Sequence, residues 1–163
     1  MTTRVEQITS GWITHDLHRL ADGTGVDPAE TLDEVAAVLR RAGLPGPKIP
    51  AVQHCVAGHD AYEFRGDDPD PASLEAKLLR DADNLDAMGA VGVGRTFAFG
   101  GVHGTPLWDP DGTEYSQLYH FEDKLLRLRE EMHTEPAREL AAERHAFLEE
   151  FHERFRREWH GEA

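Results

Sequence analysis

The chain has 163 residues, with 31 acidic against 17 basic side chains, a formal net charge of −14 and one cysteine, Cys55. A charge of that sign excludes a surface built for the nucleic-acid backbone or for anionic lipid, because both would be repelled. The lone cysteine excludes an intrachain disulfide, and no apolar run forms a leader or approaches the roughly 20 residues of a membrane helix. The expectation is a cytoplasmic protein of one domain, residues 1–163, with 39% hydrophobic residues to build a modest core.

From Arg4 to Leu20 the sequence reads as a helix carrying the adjacent pair His15-Asp16, punctuated by Asp22, Gly23 and Gly25. Asp27 is placed to cap the next helix and Pro28 suits its first turn. Leu32, Val35, Ala36, Leu39 and Ala42 give that helix one apolar face. Gly43 ends it, and Pro45, Gly46, Pro47 and Pro50 predict a loop. A short helix around Ile49 to Gly58 carries His54, and Arg65 to Pro71 is a polar turn.

Pro71 or Ala72 starts a helix with Leu74, Leu78, Ala82, Leu85 and Gly89 on one side. It also carries Asp81, Asp83 and Asp86. Carboxylates cost free energy to desolvate, so three among core residues point to a bound cation or a paired network. Val91 to Phe99 alternates in the manner of a strand. Gly89, Gly92 and Gly94 suit close helix packing and no partner strand is evident, which favours a helix extension followed by a loop over Gly100 to Gly112. Phe121, Leu125, Leu128 and Met132 follow helical spacing. Thr134 and Pro136 open a long last helix with Leu140, Phe147, Leu148, Phe151, Phe155 and Trp159 facing the core. The sum is an all-α bundle of about six or seven helices.

Imidazole nitrogen beside carboxylate oxygen suits Mn, Fe, Co, Ni or Zn, and Mg less well. Neighbours on a helix point about 100° apart, so both side chains of His15-Asp16 can reach an ion in a groove. A bare His-Asp dipeptide is weak evidence, and a second one stands at His59-Asp60. Periodicity does not choose a ligand among the three aspartates. His54 reads as a surface histidine, as a contact to substrate phosphate or as a ligand of a second metal. Arg95 suits bidentate binding of phosphate or an ion pair with one of the aspartates. Lys124 suits neutralisation of phosphate charge or a pair with Glu122 or Asp123.

Trp12-Ile13-Thr14-His15-Asp16-Leu17 is an apolar run ending in His-Asp-apolar, and Ala82-Asp83-Asn84-Leu85 follows at a distance. Together they resemble the HD superfamily of metal-dependent phosphohydrolases. Arg80 to Gly101 is similar to the DADxLDAxGAxGxxRTFAxGG segment of its bacterial nucleotide-phosphohydrolase branch. His120 to Leu128 is similar to that branch's HFxEKLLKL segment. The resemblance runs from His15 to the C-terminus and implies an HD-domain helical bundle. It implies a divalent metal ion (Mn, Mg, Fe, Co, Ni or Zn) held by His15, Asp16 and Asp83. Asp86 would be catalytic, orienting a water or a ligand histidine. His54, Arg95, His120 and Lys124 would bind a small phosphorylated substrate, a nucleotide foremost. The superfamily pattern begins with a histidine one helix before the dyad. Here 14 residues precede His15 and none is histidine, so the expectation is a chain shortened at its N-terminus with three protein ligands in place of four. The alternative is a catalytically impaired or non-catalytic HD-fold binding protein. A di-iron oxygenase of HD type would need more ligands than these. A homo-oligomer is left open.

Overall fold

A computed structural model describes residues 4–17, 19, 27–67 and 71–162. Leu20, His18 and the punctuation at Asp22, Gly23 and Gly25 lie outside the described residues. Among those described there are seven α-helices and no strand: α1 (Arg4–Thr14), α2 (Leu32–Arg41), α3 (Ile49–Ala57), α4 (Leu74–Asp86), α5 (Gly89–His103), α6 (Gln117–Asp123) and α7 (Glu135–Trp159). Short 3-10 helices cover Pro28–Thr31, Gly46–Lys48, Glu63–Arg65 and Leu125–Glu131. No described helix is long and apolar enough to cross a membrane. The chain falls into two compact units, Met1–Arg80 and Asp81–Ala163.

In the first unit, α3 packs against both α1 and α2. Val35, Ala36 and Leu39 of α2 meet Ile49, Val52 and Val56 of α3 in a buried cluster, so the apolar face read from spacing is the core face. A second cluster joins Cys55 of α3 to Ala76 and Leu79 of α4. Gly11 lets α1 come close: a Cβ there would stand 3.2 Å from a Leu79 methyl. The capping at Asp27 differs in detail from the spacing. Its carboxylate accepts the Ala29 amide at 2.8 Å, and the Thr31 hydroxyl donates to the Pro28 carbonyl at 3.0 Å. These bonds hold a 3-10 turn first, and the α-helix begins only at Leu32. Likewise α4 begins at Leu74, where the Ser73 hydroxyl accepts the Ala76 amide at 3.1 Å, and not at Pro71.

In the second unit, α7 packs on α5, on α6 and on the 3-10 helix Leu125–Glu131. Phe97 of α5 stands among Phe121, Phe151 and Phe155, with ring centroids 6.1, 5.9 and 5.7 Å away. The helix after Gly89 is a separate element and runs beyond its expected end, to His103, where Gly104 at φ +70° closes it. It is set off from α4 by extended Met88 and by Gly89 at φ +71°. The helical spacing of Phe121 to Met132 is divided in two, because Lys124 leaves the α region at φ −131°, ψ −60° and the chain continues as a 3-10 helix.

The inward face of α7 is a correction. Ala137, Ala141 and Leu148 are buried, whereas Leu140, Phe147 and Trp159 are exposed. Small residues face the neighbouring helices where they approach closely, and the large apolar ones beside them fall on the flank of the stripe.

Candidate metal centre

The first unit builds a histidine pair at the ends of two helices. Helix α1 stops at Thr14, whose hydroxyl donates to the Ser10 carbonyl at 2.8 Å. His15 and Asp16 therefore stand on the turn beyond α1, not inside a helix as the sequence pattern suggested. On that turn His15 Nδ1 lies 2.6 Å from the Trp12 carbonyl. A carbonyl only accepts, so Nδ1 carries the proton and Nε2 carries the ring's lone pair. The Trp12 ring stacks on the imidazole, centroids 5.0 Å apart and planes 22° apart, and fixes its orientation.

His59 repeats the arrangement. It follows the end of α3, is fully buried, and its Nδ1 lies 2.7 Å from the Val56 carbonyl, again three residues back. Its Nε2 is the lone-pair nitrogen by the same argument. The two imidazoles meet edge to face, with centroids 5.0 Å apart and planes at 88°. His15, Asp16 and His59 each offer one ligand atom, and these atoms lie within 4.8 Å of one another.

His15 Nε2 and Asp16 Oδ2 are 3.3 Å apart. Two cis ligands of one ion with bonds near 2.1 Å stand about 3.0–3.4 Å apart, and a trans pair about 4.2 Å. The dyad thus already has ligand spacing, and the ligand atom of His59 lies within 4.8 Å of both. The other Asp16 oxygen takes the Arg19 guanidinium at 2.7 Å, which orients the carboxylate. Neutral imidazole and carboxylate are the donors a divalent transition metal takes, so these residues fit the ion implied by the resemblance.

His54, the expected substrate contact of this unit, is exposed on α3 and is not part of the group. His59 is the member that lies outside the expected ligand set. Its signal was there, in a second His-Asp dipeptide directly after the Gly58 that ends α3.

The other expected site residues belong to the second unit. Asp81 is committed to the chain before α7: its carboxylate accepts the amides of His133 and Thr134 and the Thr134 hydroxyl. Asp83 is half-buried on α4. Asp86 and Arg95 form an ion pair between the end of α4 and the first turns of α5. The Arg144 guanidinium donates to the Leu85 carbonyl at the close of the same helix, and its stem covers Gly89. His120 Nδ1 shares a 2.6 Å hydrogen bond with the Tyr115 hydroxyl. Lys124 sits half-buried at the break between α6 and the 3-10 helix.

Helical architecture and a turn-borne His-Asp dyad define an all-α protein with the donors for a divalent metal. No protein-family model matches the chain. Over 82 residues it is 51% identical to YpgQ of Bacillus subtilis, a segment that spans 50% of this chain and 38% of that relative. The crystal structure of YpgQ in complex with ADP superposes with a TM-score of 0.71 at 32% identity, covering 93% of this chain and 75% of that one. An HD-superfamily hydrolase from Bacillus thuringiensis gives a TM-score of 0.66 at 32% identity, covering 95% and 74%. A protein from Lactobacillus plantarum gives 0.78 at 26% identity, covering 96% and 77%. The chain belongs to the HD superfamily.

Proposed function

We propose that the chain is a metal-dependent phosphohydrolase acting on a nucleotide or another small phosphorylated molecule. The observation that carries this reading is the His15-Asp16 turn. There an imidazole of fixed tautomer and a carboxylate oxygen stand 3.3 Å apart, at the spacing of two ligands to one ion. The HD-superfamily hydrolase among its relatives supports hydrolysis, and the ADP complex of YpgQ supports a nucleotide.

A divalent ion, when bound, makes hydroxide available near neutral pH and draws charge from a phosphoryl oxygen. The chain supplies the rest. His15 Nε2 and Asp16 Oδ2 hold the ion, and the Ala82-Asp83-Asn84-Leu85 pattern assigns the last ligand to Asp83. Arg95, Lys124, His120 and His54 are the proposed contacts to phosphate, where cationic donors offset charge developing on the phosphoryl oxygens. In a chain of net charge −14 such groups decide whether a polyanion binds at all. Asp86, paired with Arg95, holds that guanidinium in place.

The test is release of phosphate or pyrophosphate from nucleoside mono-, di- and triphosphates by the purified chain with Mn²⁺ and with a chelator. Release that needs the metal and disappears in His15→Ala, Asp16→Ala and Asp83→Ala is expected. A chain that retains metal but releases nothing from any nucleotide would be a binding protein, and the hydrolase reading would fall.

A further inference from the structure

We infer that His59 is a metal ligand in this chain, so that the first unit supplies two imidazoles and one carboxylate to the centre: His15, Asp16 and His59. The inference rests on the metal-dependent reading above and deepens it, because it assigns a ligand outside the expected set and a class of metal.

Four observations carry it. His59 is fully buried at a helix end where an apolar side chain would fill the same volume without a polar group to satisfy. Its Nδ1 donates to the carbonyl three residues back, as does that of His15. A backbone carbonyl holding one ring nitrogen is the usual device that orients the other toward a metal. The edge-to-face meeting of the rings, at 5.0 Å and 88°, brings the two residues together from α1 and α3. The ligand atoms of all three residues lie within 4.8 Å. His54, on the same helix as the approach to His59, is exposed and takes no part.

The donor set also selects the ion. Imidazole suits Mn, Fe, Co, Ni and Zn, whereas Mg prefers oxygen ligands and gives up its water reluctantly. Two imidazoles and one carboxylate therefore favour a transition-metal ion over Mg²⁺.

Cobalt(II) is the probe, since its visible absorption reports its ligands. The full chain is loaded with Co²⁺ and its affinity measured against a chromophoric chelator. His59→Gln is expected to lower the affinity at least about tenfold and to change the visible bands, and His103→Gln, at an exposed histidine of α5, to do neither. Mg²⁺ in hundredfold excess is expected not to displace the cobalt. His59→Cys guards against a variant that merely fails to fold. A thiolate at this position adds a sulfur-to-cobalt charge-transfer band in the near ultraviolet only if residue 59 touches the ion. Wild-type affinity and spectrum in His59→Gln, or no such band in a folded His59→Cys, overturns the inference. If His15→Gln still loses the metal in that case, the metal-dependent reading stands without His59. A wild-type chain that takes up no cobalt overturns both.

Discussion

Asp81 and Thr134 are joined twice through one carboxylate oxygen: Asp81 Oδ2 accepts the Thr134 amide at 2.9 Å and its hydroxyl at 2.6 Å. The other oxygen accepts the His133 amide at 2.8 Å. Thr134 is the N-cap of α7 and makes no capping bond with its own side chain. Asp81 therefore does from α4 what a capping residue does locally, and its negative charge suits the positive end of a 25-residue helix. Asp81→Ala leaves three donors without this acceptor and should cost about 1.5–3 kcal/mol, the range for hydrogen bonds to charged groups. A urea titration reads the loss. Metal uptake should be unchanged, and a loss of uptake in a folded Asp81→Ala would move Asp81 into the ligand set.

The three aspartates show how far the sequence carries. Their number and apolar setting announce that desolvated carboxylates need partners, and that expectation holds for Asp81 and Asp86. Which partner each takes depends on contacts between residues 53 apart in the one case and nine in the other, Asp81 with Thr134 and Asp86 with Arg95. Helical periodicity is blind to both. The His15-Asp16 dyad was legible as a dipeptide, yet its place on a turn was not, because Trp12, Ile13 and Leu17 keep a helical pattern on both sides of the pair and nothing in the spacing marks the break after Thr14. His59 escaped for the same reason as Thr134: 44 positions separate it from His15, and only folding makes them neighbours. The core face of α2 was legible, since Val35, Ala36 and Leu39 recur at helical spacing and are buried, although Ala42 at the end of that stripe is exposed.

The glycines of α5 make a paired prediction. A Cβ on Gly92 would stand 2.2 Å from the Ala87 carbonyl oxygen, which is backbone and cannot turn away. One on Gly94 would meet nothing within 4 Å. Gly92→Ala should destabilise the protein by about 1–3 kcal/mol through forced backbone movement. Gly94→Ala should stabilise it by about 0.5–1 kcal/mol through helix propensity. Thermal melts of the two variants settle the matter, and a shift of the same sign in both would contradict the α4–α5 turn as described.

The face of α7 is open to an equally direct check. Leu148 is fully buried and Leu140, eight residues earlier, is 49% exposed. Leu148→Ala should cost about 2–5 kcal/mol for the lost burial and the cavity. Leu140→Ala should stay within about 0.5 kcal/mol of wild type, as surface substitutions do. Equal losses in denaturant midpoint would return Leu140 to the core face that spacing alone had given it.

His152 makes stability depend on pH in a direction that can be worked out. It lies on α7 with its ring stacked against Phe121, centroids 6.1 Å apart, and its Nε2 3.1 Å from Glu122. Burial lowers its pKa below the ordinary 6.5. The Glu122 carboxylate opposes that shift and the Arg156 guanidinium reinforces it, and the net direction is downward. The unfolded chain then binds the proton at a higher pH than the folded one. The contribution of neutral His152 is complete above about pH 6.5 and is lost as pH falls through the lower folded value. His152→Gln removes this titration while every other histidine stays. Glu122 and Arg156 are the charged groups facing the ring, and the comparison runs from about pH 7.5 down to about pH 5. Between those limits the wild type should lose more of its stability than His152→Gln, read as a steeper fall in urea midpoint with falling pH. Parallel curves for the two proteins would mean that His152 titrates alike in the folded and unfolded chain.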